Sequence, residues 1–182
     1  MRPSLIRRIA DMAFEMQGVY GLHFGESKMP TPRYISEAVK QAVDEGYTFY
    51  TENAGLPGLR DAIAEKVLAL HDVALDPARE IVVTASGVQA LNVAIRCVID
   101  PGDEALVLTP NWPNAAAIVS MFGGVAREIP LELSGDRYTI DFAALRAAVN
   151  DRTRLLVCTS PSNPLGWVAT TEEQQALLET MK

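Results

Sequence analysis

The chain has 182 residues, with 16 Lys or Arg against 23 Asp or Glu, for a net charge of −7. Hydrophobic residues make up 48% and charged residues 21%, enough for a core and ordinary for one domain or a large part of one. The acidic balance, with no basic stripe interleaved with aromatics, argues against nucleic acid as a partner.

Only two histidines occur, His23 and His71, and neither has a carboxylate or second histidine at ligand spacing. Metal sites, metal hydrolysis and histidine-based nucleophilic chemistry therefore have no foothold. Cys97 and Cys158 both sit in apolar runs, which predicts buried thiols rather than a disulfide. No stretch has the length of a membrane span, so no membrane partner is expected. The first residues, "MRPSLIRRIADMAFEMQG", lack the unbroken apolar centre of a secretory signal and carry acids that a transit peptide avoids. A cytoplasmic protein is expected.

In chain order, Leu5, Ile9, Met12 and Met16 follow helical spacing and predict a short amphipathic helix with a face to bury. A Gly- and Pro-rich loop follows, "GVYGLHFGESKMPTP". Residues 33–46, "RYISEAVKQAVDEG", read as a helix stopped by Gly46. Residues 47–58 read as loop and residues 59–72 as a helix with Ile63, Val67 and Leu70 on one side. Strand and helix then alternate. Strands are predicted at "EIVVTAS" (80–86), "EALVLTP" (104–110), "VAREIPL" (125–131) and "RLLVCTS" (154–160). Helices are predicted at 87–99, 113–124 and 141–150, with a last one starting at Thr170. The strands are apolar without alternation, so both sheet faces are covered and the sheet is largely parallel. There is no internal repeat.

Ligands of such sheets bind beyond the carboxyl ends of the strands. The loops there read "ASGVQAL", "TPNWPN" and "SPSNPLGW". In the first, Ser86 and the N–H groups of Gly87 and Val88 stand at a helix N-terminus, which favours an anion. Taken alone this is a weak signal, since small residues at such a turn are usually only turn chemistry. The second sets Trp112 in a polar loop, where a flat ligand or a core neighbour must cover its ring. The third holds Asn163 between prolines that forbid a helix. An anion cradle, a stacking ring and a rigid amide together describe a site for a phosphorylated aromatic ring.

The order of "YTENAGLPGLRDAIAEKV", "VTASGVQAL", "TPNWPN" and "SPSNPLGWV" resembles the class I/II aminotransferases, fold type I enzymes that use pyridoxal 5′-phosphate. The resemblance runs from about Gly25 to the end. It implies a three-layer αβα fold with a mostly parallel sheet, the large domain of a pyridoxal-phosphate-dependent transferase, here incomplete. Residues 1–30 would be an N-terminal arm and helix, and residues 31–182 the first part of the cofactor-binding domain. It further implies that Ser86, Gly87 and Val88 hold the cofactor phosphate, that Trp112 stacks on the pyridine ring and that Asn163 bonds its phenolic oxygen. Tyr50 would reach the phosphate of the other subunit of a homodimer, and Gly25 would lie beside the substrate carboxylate. Amino acids and 2-oxo acids would be the substrates.

Two departures stand out. The family has Gly-Glu-Pro-Asp where this chain has "GESK", at the pocket entrance, and Asn-Pro-Thr-Gly where it has "NPLG". In the family the lysine that binds the cofactor, the acid at the ring nitrogen and the arginine for the α-carboxylate all lie beyond the position of Lys182. No catalytic residue is therefore assigned in this chain, and the 182 residues alone are expected to be inactive. Alternatives on the same scaffold are a carbon–sulfur lyase, a synthase, or a non-catalytic cofactor-binding module. A cofactor-sensing DNA-binding regulator would need a basic helix-turn-helix ahead of the fold, which "MRPSLIRRIADMAFEMQG" does not supply.

Overall fold

The spacing of Leu5, Ile9 and Met12 is realised in α1 (Leu5–Phe14), the first element of a computed structural model that describes residues 5–182. Met1–Ser4 of the expected arm, including Arg2, lie outside the described residues. Only Ala10 of α1 is buried; Leu5, Ile9 and Met12 are exposed, and so is Met16 behind them. After α1 the chain turns through an aromatic contact series, Phe14 edge-on to His23 at 5.7 Å and His23 to Phe24 at 4.7 Å. Helix α2 (Arg33–Asp44) begins after Pro32 and stops where expected, with Gly46 at φ +86° just past the last turn. Residues up to Thr51 form one compact unit and residues 52–182 a second.

The second unit opens with α3 (Pro57–His71), which takes Pro57 into its first turn, two residues earlier than expected. Arg60 ties the surrounding loops together, donating from Nε to the Gly55 carbonyl at 3.2 Å and from Nη1 to that of Pro77 at 2.9 Å. The strand expected at "EIVVTAS" does not form. Among the described residues it has no ladder partner; between its ends, Val83 N–H donates to Ala54 O at 2.9 Å. A strand exists only where another chain segment accepts its hydrogen bonds. From it the chain enters α4 (Gly87–Val98).

Next come β1 (Glu104–Thr109), α5 (Asn114–Met121), β2 (Val125–Pro130), β3 (Glu132–Ser134), β4 (Arg137–Thr139), α6 (Phe142–Ala148), β5 (Thr153–Val157) and α7 (Thr171–Thr180). Strand β1 is central, parallel to β2 on one side and to β5 on the other, so β5 forms an outer edge. Side chains alternate across it. Leu106 and Leu108 join Ile129, Leu145, Trp167 and Leu177 under α6 and α7. Ala105 joins Ile95, Ile99, Ala115, Ile118 and Val119 under α4 and α5, with Leu155 and Val157 packed against them. The result is the expected three-layer αβα arrangement around a parallel sheet.

Strands β3 and β4 form an antiparallel hairpin whose turn is Gly135–Asp136, with Gly135 at φ +65°. The two thiols are also not where expected: Cys97 and Cys158 are both exposed. Cys97 lies on α4, and Cys158 follows the edge strand, beside Gln174 and Leu177 of α7.

Candidate functional site

Because β1 and β5 are parallel neighbours, the chain leaves both at the same end of the sheet. The register pairs Val107 with Val157, which brings the loops that follow to the same level. They are joined directly: Thr159 Oγ1 donates to Asn111 Oδ1 at 3.4 Å. The structure thus brings together the loops that carry Trp112 and Asn163. Trp112 is half-buried, two residues before α5 starts.

The loop after β5 doubles back on itself. Ser162 N–H donates to Trp167 O at 2.8 Å, and Gly166 N–H, at φ +67°, donates to Ser162 O at 2.9 Å. Two hydroxyls complete the closure: Ser162 Oγ accepts from Trp167 N–H at 3.1 Å, and Ser160 Oγ from Ala169 N–H at 3.0 Å. Below the turn, Trp167 is 7% exposed and belongs to the core under α6 and α7, with Leu165 packed against the same cluster. The large indole behind the turn is therefore an anchor. Its Nε1 is buried with no acceptor among the described residues. Asn163 is exposed on the turn that this anchor supports.

At the third loop, Ser86 caps α4, its Oγ accepting from Gln89 N–H at 3.2 Å while Gln89 Oε1 accepts from Ala85 N–H at 2.7 Å. Thr84 Oγ1 donates to Ser86 O at 2.9 Å. Those bonds leave the Ser86 hydroxyl hydrogen and the first-turn amides of Gly87 and Val88 without an acceptor in their own helix. Ser86, Gly87 and Val88 are exposed, and a Cβ added at Gly87 meets nothing within 4 Å. No hydrogen bond links this loop to the other two among the described residues. Gly25 and Tyr50 belong to the first unit; both are exposed, Tyr50 fully.

Beside the Asn163 loop, partial burial pushes the Cys158 thiol up, and the Glu173 carboxylate adds to the shift. Sequence reasoning missed Thr159, Ser160 and Ser162 as the ties of this region. Hydroxyl residues flanking a Pro-Gly turn were the available signal, since they bond nearby backbone. Among the described residues, no helix is long and apolar enough to cross a membrane.

The sequence profile of aminotransferase class I and II matches residues 18–182. The chain is 37% identical to the aspartate/prephenate aminotransferase of Thermus thermophilus, over 97% of this chain and 46% of that protein. It is 36% identical to an aspartate aminotransferase of Pyrococcus abyssi, over 92% of this chain and 43% of the relative. Among solved structures, YbdL of Escherichia coli, described as having a methionine aminotransferase function, superposes with a TM-score of 0.92 at 26% identity. That match covers 100% of this chain and 47% of the other. The chain thus spans about half the length of the relatives it matches.

Proposed function

The chain belongs to the class I and II aminotransferase family, and on that premise we propose that it forms the first, cofactor-holding half of a pyridoxal-phosphate-dependent aminotransferase. Residues 1–30 are its N-terminal arm and residues 31–182 the first part of its large domain. The observation that carries the reading is the tie between Thr159 and Asn111, which holds the Trp112 loop to the Asn163 loop at one end of two parallel strands. When bound, pyridoxal phosphate supplies an electron sink for bonds at the amino acid's α-carbon.

The donor set fits that group. Ser86, Gly87 and Val88 offer a hydroxyl and two unengaged amides at a helix N-terminus, the chemistry a phosphate dianion requires. Trp112 offers a half-buried indole face that stacks on the ring and keeps water from one side of it. Asn163 offers an amide N–H to the ring's phenolic oxygen. Gly25 leaves room for the substrate carboxylate, and Tyr50 reaches the phosphate of a second subunit. Support for the homodimer is the exposed apolar side of α1, where Leu5, Ile9 and Met12 face outward. The substrates are an amino acid and a 2-oxo acid, as the names of the relatives indicate for those proteins. The same reading keeps the protein in the cytoplasm, and makes the 182-residue chain a binder of cofactor without turnover.

Titration with pyridoxal phosphate, followed by quenching of Trp112 fluorescence, tests the reading. Saturable quenching is expected, reduced in Trp112→Phe to what the remaining Trp167 contributes. Gly87→Glu, which sets a carboxylate at the amide cradle, should weaken binding by about tenfold or more. Full affinity in Gly87→Glu, or no quenching in the unaltered chain, would overturn it.

A further inference from the structure

Ser162 makes three bonds across the turn that carries Asn163. Its N–H donates to Trp167 O, its carbonyl accepts from Gly166 N–H, and its hydroxyl accepts from Trp167 N–H at 3.1 Å. The turn 163–166 is therefore closed at one point, directly above an indole seated in the core. Asn163 itself is exposed and makes no side-chain hydrogen bond among the described residues, so only the backbone of this turn fixes where its amide stands. The hydroxyl bond is the one replaceable part of that closure. Without it the Trp167 N–H, on a buried residue, loses its only acceptor among the described residues, and the turn gains a reason to shift.

Resting on the cofactor reading above, we infer that Ser162 is a positioning residue for Asn163, with the core-anchored Trp167 as its pivot. The side chain that bonds the ring oxygen is held in place before the ring arrives, so binding spends little on ordering it. Leu165 and Trp167, both packed on the core, fasten the turn from either side of Gly166. Ser162 acts through Asn163.

The test uses the whole chain as Ser162→Ala, Ser162→Thr and Asn163→Ala, with three readouts. These are exchange of the Trp167 amide hydrogen, the absorption maximum of bound pyridoxal phosphate, and the affinity of the cofactor-free chain for inorganic phosphate. In Ser162→Ala the Trp167 amide should exchange about five- to tenfold faster, as one lost hydrogen bond predicts. The absorption maximum should move toward that of Asn163→Ala, and Ser162→Thr should restore both. The affinity of the cofactor-free chain for inorganic phosphate should stay unchanged, because the amides of Gly87 and Val88 are elsewhere. A wild-type maximum in Ser162→Ala, with Asn163→Ala shifted, overturns this inference and leaves the cofactor reading standing. Failure of the unaltered chain to bind the cofactor overturns both. If Ser162→Ala does not fold by circular dichroism, Ser162→Cys, a weaker acceptor at the same place, is read by the same outcomes.

Discussion

Arg127 on β2 grips both carboxylate oxygens of Glu104, the first residue of β1, with Nη2 at 2.9 Å from Oε1 and Nε on Oε2. Asn150 Nδ2 adds a bond to Oε2 at 2.9 Å and Arg152 Nη2 an ion pair to Oε1 at 2.8 Å. Glu104 is 1% exposed, and this shell sews the start of β1 to β2 and to the turn before β5.

Those donors, Arg127 first and Asn150 next, hold the Glu104 carboxyl at about 2, against an ordinary value of 4.5. A folded-state value below the unfolded one means the group stabilises the fold fully above about pH 4.5. That contribution drains away as pH falls toward about 2. Thermal melts from pH 7 to 2 should show the midpoint falling through this window. Glu104→Gln should melt lower than the parent at pH 7, and the gap should narrow by pH 2. A constant gap across the whole range would contradict the assignment.

Trp167 separates packing from hydrogen bonding. Trp167→Ala empties a buried site and should cost about 3–5 kcal/mol in urea unfolding. Trp167→Phe gives up some volume but also removes the Nε1 donor that has no acceptor among the described residues. It should therefore cost less than about 1.5 kcal/mol. Equal losses for the two variants would show that the indole nitrogen is satisfied.

Gly55 has φ +96°, and an added Cβ would lie 2.5 Å from Val83 Cβ. Gly55→Ala should destabilise by about 1–3 kcal/mol through backbone strain and that overlap together. The double variant Gly55→Ala with Val83→Ala should not recover the whole loss, because the Val83 Cβ remains and the backbone strain persists. A fully stable Gly55→Ala would mean that the loop before α3 shifts freely.

For Cys158, partial burial and then Glu173 raise the thiol's value above that of an ordinary cysteine. Exposure alone therefore overstates its reactivity, since the thiolate is the nucleophile. Its alkylation rate should rise at a higher pH than that of N-acetylcysteine, and Glu173→Gln should bring the rise to lower pH. An alkylation profile overlying the free thiol's would refute this.

Lys28, Lys40, Lys66 and Lys182 are the only lysines, and all four are exposed. An amine that attacks the cofactor aldehyde must lose its proton, which burial or a positive neighbour promotes. Borohydride reduction of the chain with pyridoxal phosphate, followed by peptide mapping, should label no lysine stoichiometrically. Full labelling of Lys28 with transfer of an amino group to a 2-oxo acid would overturn the expected inactivity.

The central strand was readable because Ala105–Leu108 is apolar at every position, and only a residue covered on both faces needs that. Helix α7 announced itself by Thr170 and Glu173, which bond each other's backbone N–H groups in a capping box. Ile81–Thr84 has the same apolar character as β1 yet makes no ladder, because pairing belongs to two segments and the sequence shows one. The three-residue strands β3 and β4 are too short for periodicity to register, although Gly135–Asp136 is a hairpin turn. At the candidate site, Trp112 and Asn163 stood out by residue type. Ser162 did not, since its role depends on the backbone of Trp167 five residues on, which no pattern of side chains reveals. Glu104 was likewise hidden, its partners Arg127, Asn150 and Arg152 being brought in by the fold.

All three parallel strands, with the arginines that clasp Glu104, come from the single stretch 104–152 extended by β5 to Val157. No strand has to wait for a distant part of the polypeptide. On a ribosome, these three strands are all made before α7 has been translated. Loop closures between neighbouring strands are short, so their entropic cost is small. The side of β5 away from β1 keeps its backbone groups unpaired by any strand among the described residues, which makes it a template for strand addition.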